Sequence, residues 1–470
     1  MPETQRLPDR HSIRILLAIA CGALLLRLLP LLRPGDWWAV LDDSHGYLAL
    51  AHGLLSGCGF ARLMNGACRS PELYRLPGYP FFILMMPSLR AAVFVQALLG
   101  ALTCLCVGWF TWAQWGLAAG IIAETLLGLD IPSIVASSTI MSDCLFQALL
   151  TSAVLLQLLA ISPGSENRKS FWLVLTAAVL LACTVLVRAI AIVVPLLAVV
   201  PVMLMPEVKL IKRLAMFLLL VAIPVSVMAG WTMRNHARTG TWTFTTEGAY
   251  NLYYYNTAGV LWYLHGGNLT NLQDQLATAV GANGPDEFVS GPQQSEMVKR
   301  SLAVMLSHPI ATAAMTLRCF AWLAIVPDRG NLNNFLGTKG ISSVFLLASQ
   351  NIGLRIREML HSPLLSVFVL IQIPLVVFTW IGVGISLIRI HQEPRSRIPM
   401  ILAPLGVAMV MLLLATGPAA IARFRVPAMP FLAMLAGAGW SGLSWVRHRD
   451  SVQIAAATLA CSRADDLDVG

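Results

Sequence analysis

Charge is scarce in this sequence. Only 12% of the 470 residues are Asp, Glu, Lys or Arg, against about 25% in a soluble domain, while 57% are hydrophobic and the mean hydropathy is +0.72. A soluble globular protein is excluded on that ground. No His-Glu-x-x-His or similar metal-binding spacing occurs, and no glycine-rich strand-to-helix phosphate loop is present. Zincin-type hydrolysis and P-loop nucleotide chemistry are therefore not expected. There is no internal repeat and no low-complexity segment. The apolar spans carry almost no ionisable residue, with Arg27 and Glu124 the main exceptions. Ion-coupled transporters place such residues or broken helices at the bilayer midplane, so passage through the bundle is disfavoured. The formal net charge of +9 lies largely in short loops, where it sets topology; nucleic-acid binding is not inferred from it. No small-residue cleavage site follows the first apolar run to Leu32, so an uncleaved helix is expected there rather than a signal peptide.

What is present is a series of apolar runs of the length that crosses a bilayer, about 17–25 residues. They lie near 15–32, 91–112, 116–130, 142–161, 171–187, 189–206, 213–231, 363–388, 398–416 and 427–446. The stretch 308–326 could add one more span, with 341–356 returning from it, which gives ten or twelve. The fold class expected is an all-α polytopic membrane protein, read as one integral membrane domain over 1–470. With the N-terminus inside, the basic clusters Arg168-Lys169, Lys209 to Arg213, Arg389 to Arg397, and Arg447 with Arg449 share the cytoplasmic side. That places 33–90, 131–141, Arg188, 232–307 and 417–426 on the opposite, extracytoplasmic face. The cytoplasmic loops are too short to hold a nucleotide-sugar domain. Most of the nine cysteines sit in apolar runs. Cys58 and Cys68 share the first outer loop, where either a disulfide or two free thiols fits.

The outer face holds the informative residues. The first loop carries Leu41-Asp42-Asp43-Ser44-His45-Gly46-Tyr47 and then Tyr74-Arg75-Leu76-Pro77-Gly78-Tyr79-Pro80. Arginines gather on this side against the usual bias: Arg188, Arg234, Arg238, Arg423 and Arg425. One by one, each could merely snorkel to headgroups at a helix end. Together they suggest an anionic ligand, because guanidinium offers paired donors to phosphate and keeps its charge. Asp43 and Asp143 each precede a helix and could serve as N-caps. Either could instead accept a proton or hold a metal. After the seventh span, Thr241-Trp242-Thr243-Phe244 alternates like a short extended segment, and Glu247 leads into Tyr250-Asn251-Leu252-Tyr253-Tyr254-Tyr255-Asn256. Aromatic rings with Asn and Glu suit sugar binding; an interfacial aromatic belt is the alternative.

These motifs resemble those of the GT-C membrane glycosyltransferases, which include protein O-mannosyltransferases, lipid A aminoarabinose transferases and lipopolysaccharide-core galacturonosyltransferases. Asp43-Ser44-His45-Gly46-Tyr47 resembles the family's Asp-acid-x-x-Tyr motif, and Tyr74 to Pro80 its Arg-Pro-Pro-Gly-Tyr-Pro segment. Trp231 to Asn235, with Gly240 and Gly248 to Leu252, is similar to its Arg-Asn loop. Arg423-Phe424-Arg425-Val426-Pro427-Ala428-Met429-Pro430 is similar to its Arg-Tyr-Arg-x-Pro-x-x-Pro stretch. The matches run from residue 41 to 430 in the family's order. Ser44 stands where the family has its second acid, with Asp42 on the other side of Asp43.

The resemblance implies a GT-C-type bundle with two long outer loops and transfer of one sugar from a polyprenyl-phosphate donor on the outer face of the inner membrane. It puts Asp43 at the catalytic aspartate and Asp143 at the family's second acidic position. Arg75, Arg234, Arg423 and Arg425 are expected at the donor phosphate. Asp42, Tyr47, Tyr74, Tyr79 and Asn251 are expected to contact substrate. A divalent cation beside these acids is compatible with the family. The acceptor expected is a glycolipid or another envelope glycan ahead of a protein, because the chain ends soon after its last span, where longer members carry a large outer domain. Two other functions use the same arginines: a flippase or exporter of polyprenyl-linked glycans, and a ligase or polymerase of such glycans.

Overall fold

The computed structural model describes residues 10–162, 167–193, 209–281, 291–325, 332, 335–336, 363–415, 417 and 422–443. The chain opens with α1 (Arg10–Leu28). The first loop then holds α2 (Asp42–Leu55), a hairpin of β1 (Ala61–Met64) and β2 (Ala67–Pro71), and α3 (Gly78–Leu84). Next come α4 (Leu89–Trp115), α5 (Leu117–Gly128), α6 (Ile131–Ser138), α7 (Ser142–Ile161), α8 (Asn167–Val187) and α9 (Leu210–Thr239). The second loop holds α10 (Glu247–Tyr250), a π-helical turn (Asn251–Thr257), α11 (Ala258–His265), α12 (Leu269–Ala279) and α13 (Gly291–Ser307). Then follow α14 (Pro309–Ile325), α15 (Pro363–Ile388), α16 (Ile398–Leu414), a 3₁₀ turn (Ala422–Arg425) and α17 (Met429–Leu443).

This is an all-α polytopic membrane protein, as the composition requires. A bilayer offers no hydrogen bonds to the backbone, so each crossing must satisfy its own. Among the described residues six helices are long and apolar enough to span, or up to eight if each bent pair counts as one span. The bent pairs are Leu117–Gly128 with Ile131–Ser138, at 56°, and Gly291–Ser307 with Pro309–Ile325, at 102°. The count is lower than ten or twelve for two reasons. The expected spans at 398–416 and 427–446 are the shorter apolar helices Ile398–Leu414 and Met429–Leu443. The expected spans at 189–206, beyond Val193, and at 341–356 lie outside the described residues. The region 131–141, expected as a loop, is mostly α6. Asp130 caps it, accepting from Ser133 N at 3.1 Å, and Pro132 suits its first turn.

The two buried exceptions in the spans differ. Arg27 is 1% exposed and donates to the carbonyls of Ala23, Leu127 and Gly128, so it closes the end of α5 against α1. Glu124 is fully buried in α5 beside Gly108 of α4. Neither reaches the outer-loop residues singled out above.

The hairpin was not foreseen. Cys58 and Cys68 are joined by a disulfide, with Cα atoms 5.5 Å apart, which settles the two readings of that pair. The hairpin lies directly on α2: a Cβ on Gly53 would run into the Ala61 carbonyl. Residues 241–244, expected as extended, form no ladder. They are irregular chain pinned by Asn235, whose Nδ2 donates to the carbonyls of Thr243 and Phe244 at 2.8 and 3.1 Å.

Candidate active site

One end of the bundle gathers the outer-loop motifs. Ser44 orders the start of α2. Its Oγ accepts from Leu41 N at 2.9 Å and donates to the Ile140 carbonyl at 2.8 Å, which ties α2 to the chain entering α7. Asp43 is therefore the second residue of α2, and its carboxylate turns to guanidiniums instead of capping the helix. Arg423 Nη1 donates to Asp43 Oδ2 at 2.6 Å, and Arg75 Nη2 lies 3.5 Å from Oδ1. Asp143 likewise sits one residue into α7 and does not cap it; its Oδ2 accepts from Arg423 Nε at 2.9 Å and its Oδ1 pairs with Arg188. One guanidinium thus bridges two carboxylates from distant parts of the chain. Asp143 is 1% exposed and Asp43 is 41% exposed, so the first lies beneath and the second opens outward.

The sequence places each arginine by a local device. Arg75 is held from behind by Glu72, whose Oε1 accepts from Tyr74 N and Arg75 N at 3.0 and 3.1 Å, and whose Oε2 takes Arg62 at 2.7 Å. Its guanidinium lies 4.7 Å over the Tyr47 ring and 5.7 Å from that of Tyr74, a cation–π arrangement. Gly46 leaves the room: a Cβ there would overlap the Arg75 guanidinium. Arg188 follows the last turn of α8 and faces the rings of Phe146 and Phe424 at 5.9 and 5.7 Å.

The second loop docks beside this cluster. Thr246 N donates to the Leu73 carbonyl at 2.9 Å and Thr245 Oγ1 to that of Tyr74 at 2.7 Å. Tyr74 meets Tyr250 edge-on at 5.7 Å, and Tyr250 stacks on Tyr254 at 5.0 Å. Glu247 follows directly. Burial raises its carboxyl from the usual range, against the pull of Arg188 and Arg75. At Asp43 the balance is reversed. Burial would raise the carboxyl, but Arg423 and Arg75 together hold it well below the usual range. Arg423 loses by burial and gains more from Asp143 and Asp43, so its cation is strengthened.

Other expected site residues fall elsewhere. Arg425 is 1% exposed and points into the bundle, donating to the carbonyls of Leu323 and Ala324, with Asp130 at 4.0 Å. Arg234 holds the hairpin, donating to the carbonyls of Phe60 and Glu72, and stacks on Trp231 at 4.8 Å. Both were expected at a phosphate; here Arg425 Nη1 and the two terminal nitrogens of Arg234 donate to main-chain carbonyls. Tyr79, expected at substrate, is fully buried and donates to Gln96 at 2.6 Å. Tyr47 reaches the site through its ring, while its hydroxyl meets Ser142 at 3.0 Å. Asn251 opens the π-helical turn and is half-buried. Asp42 opens α2; its side chain lies outside the described set. Arg188 and Glu247 were visible as outer-face residues but were not assigned to the site. Glu72 had no signal beyond lying three residues before Arg75.

A divalent cation needs several oxygen ligands. Among the described residues no three His, Cys, Asp or Glu side chains form such a set, and Asp43 and Asp143 already face guanidiniums.

No protein-family model matches this sequence, and no curated protein matches it. Solved structures do. The oligosaccharyltransferase AglB of Archaeoglobus fulgidus, in complex with an inhibitory peptide and a dolichol-phosphate, aligns over 95% of this chain and 52% of its own, with TM-score 0.53 and 13% identity. The apo form of the same organism's oligosaccharyltransferase aligns over 97% and 53%, with TM-score 0.51 and 14% identity. ArnT from Cupriavidus metallidurans, bound to undecaprenyl phosphate, aligns over 92% and 77%, at 0.40 and 16%. This chain spans about half the length of the oligosaccharyltransferases it matches. At such identity the likeness to the oligosaccharyltransferases is one of fold alone.

Proposed function

We propose that this chain is a glycosyltransferase that moves one sugar from a polyprenyl-phosphate carrier to an envelope acceptor on the extracytoplasmic face of the inner membrane. The observation that carries this reading is the bridge Asp43–Arg423–Asp143, flanked by Arg75 and Arg188. It sets a partly exposed carboxylate beside cations suited to a phosphate. Nucleotide sugars are confined to the cytoplasm, so transfer on the outer face calls for a lipid-linked donor. AglB and ArnT have been solved with dolichol-phosphate and undecaprenyl phosphate respectively, which agrees with a polyprenyl carrier here.

The reaction follows from these groups. The acceptor hydroxyl gives its proton to Asp43 while its oxygen attacks the anomeric carbon. The bond from that carbon to the phosphate oxygen breaks, and the configuration inverts in one step. Charge builds on the leaving phosphate, where Arg75, Arg423 and Arg188 act. Such help speeds the reaction to the extent that it is stronger in the transition state than in the ground state. Asp143 orients Arg423 and Arg188. Tyr74 and the tyrosines around Tyr250 line the side from which a sugar would approach. The acceptor class is a glycolipid such as lipid A, a core oligosaccharide or another envelope glycan, ahead of a protein. No step requires a cation.

The test is mass spectrometry of envelope glycolipids and glycans from a strain lacking the gene, complemented with wild type or Asp43→Asn. Wild type should restore a mass increment of one sugar and the mutant should not. Restoration by both, with equal expression, would remove Asp43 as the base and favour lipid transport.

A further inference from the structure

The base and the main phosphate ligand proposed above engage each other. Asp43 lies 2.6 Å from Arg423 and 3.5 Å from Arg75. A carboxylate paired in this way is a weak base, and general-base catalysis works best with a pKa near the working pH. Arg423 is equally occupied, with Nη1 on Asp43 and Nε on Asp143. The two bonds are not equivalent. Asp143 is 1% exposed and has Arg188 as a second partner, whereas Asp43 is 41% exposed. The Arg423–Asp43 bond opens outward; the Arg423–Asp143 bond sits below it.

We propose that Arg423 is a transferable clamp. In the arrangement seen it holds Asp43. When the donor arrives, Nη1 exchanges Asp43 for a phosphate oxygen while Nε stays on Asp143 as the pivot, and Asp43 is released to act as base. This rests on the glycosyl-transfer reading above. Phosphate competes well for a guanidinium because it offers charged acceptors in matching geometry.

The clamp also follows the charge through the reaction. The proton passes from the acceptor hydroxyl to Asp43. The electron pair of the broken carbon–oxygen bond goes to the phosphate oxygen, so the polyprenyl phosphate leaves with one more negative charge than the diester had. That added charge holds Arg423 off Asp43 until the lipid departs. Asp43 then sheds its proton to water, and the ion pair reforms. Among the described residues, the charged groups that act on Asp43 come from four elements. Arg423 comes from the Ala422–Arg425 turn, Arg75 from the chain before α3, Arg188 from the end of α8 and Glu247 from α10. Tyr47, on α2 itself, stays a neutral phenol, because burial raises its hydroxyl further. Burial raises the Glu247 carboxyl against the pull of Arg188 and Arg75.

The test uses the purified full chain in lipid nanodiscs with undecaprenyl phosphate as probe. Binding is measured first, and then carbodiimide modification of Asp43 is followed by peptide mass spectrometry. The clamp predicts that saturating lipid phosphate raises labelling of Asp43 severalfold. Unchanged or reduced labelling at saturation overturns the clamp and leaves glycosyl transfer standing. No binding at all overturns both. A second measurement needs no labelling. Asp43→Asn removes the competitor for Arg423, so undecaprenyl phosphate should bind about tenfold tighter, the scale of one charge-assisted hydrogen bond. Equal or weaker binding by that variant also overturns the clamp.

Discussion

Two arginines on one short turn meet opposite surroundings. Arg423 bridges two carboxylates, one of them 41% exposed. Arg425, two residues on, is 1% exposed and faces the Leu323 and Ala324 carbonyls and Asp130. Asp130 is in turn held by Gln372 Nε2 at 2.8 Å and by Ser133 at 2.6 Å. The lower network ties the turn to main-chain carbonyls of α14 and to the buried Asp130. The upper one is built from side chains, and its outward half can exchange partners. Burial and contact with main-chain carbonyls, more than residue type, set Arg425 apart from Arg423.

The comparison breaks most sharply at Arg425. Arg425→Met would leave Asp130 buried without its cation, and breaking a buried pair in this way costs about 3–5 kcal/mol. Thermal unfolding in detergent should show a large loss of stability, with activity lost along with the fold. If Arg425→Met is as stable as wild type, the lower network is not the anchor.

Arg423→Gln should do the reverse. Removing one donor aimed at developing charge costs about 10²–10³ in rate, so transfer should fall by about that much with the fold retained, because the buried Asp143 keeps Arg188. The pH profile sharpens the point. Arg423 and Arg75 overcome burial and hold the Asp43 carboxyl below its usual range. A lowered folded value means that Asp43 favours the folded state at pH above its unfolded value, and that this contribution fades as pH falls through the lowered folded one. In wild type that happens only in strong acid. In Arg423→Gln the carboxyl moves up, so the acid limb of kcat/KM should move up with it. An unmoved limb would mean that Arg423 does not control Asp43.

This contrast also marks what the sequence made legible. Apolar runs carried the membrane fold, because a bilayer imposes a length and an apolar composition on every span. Asp43, Asp143, Arg75 and Arg423 could be picked out because charged residues are so scarce here. Arg425 and Arg234 were misplaced because a sequence shows a charge but not the carbonyls waiting for it: those of Leu323 and Ala324 lie in α14, those of Phe60 and Glu72 beside the hairpin. Tyr79 lies in a motif yet is core, since its partner Gln96 is in α4. The hairpin itself was illegible: residues 61–71 show no clean alternation, and it depends on the disulfide and on contact with α2.

The upper region can be loosened without touching the lower one. The Cys58–Cys68 disulfide closes a loop with a sequence separation of 10, and a loop of that size is worth about 2–3 kcal/mol in the chain-entropy picture. Replacing both cysteines by serine should lower stability by about that amount. It should also weaken donor binding, since the hairpin leads into Glu72 and hence Arg75. A variant with lower stability but unchanged donor affinity would show that Glu72 holds Arg75 without the staple.

The smallest change isolates Arg75 alone. Gly46 lies on α2 where a Cβ would come within 2.7 Å of Arg75 Cζ and Nη2. The obstructed atoms are the far end of a flexible side chain, so Gly46→Ala should push the guanidinium aside without disturbing the backbone. Alanine is also the better helix former by about 1 kcal/mol, and stability should hold or rise slightly. Arg75 would lose its seat on Tyr47 and its approach to Asp43, and misplacing a positioned group costs rate even when the fold is intact. We expect kcat/KM to fall about tenfold with the melting temperature unchanged or higher. Full activity would show that the position of Arg75 over Tyr47 is not needed. A drop in stability would make Gly46 part of the scaffold instead, and move the boundary between the two regions up to α2.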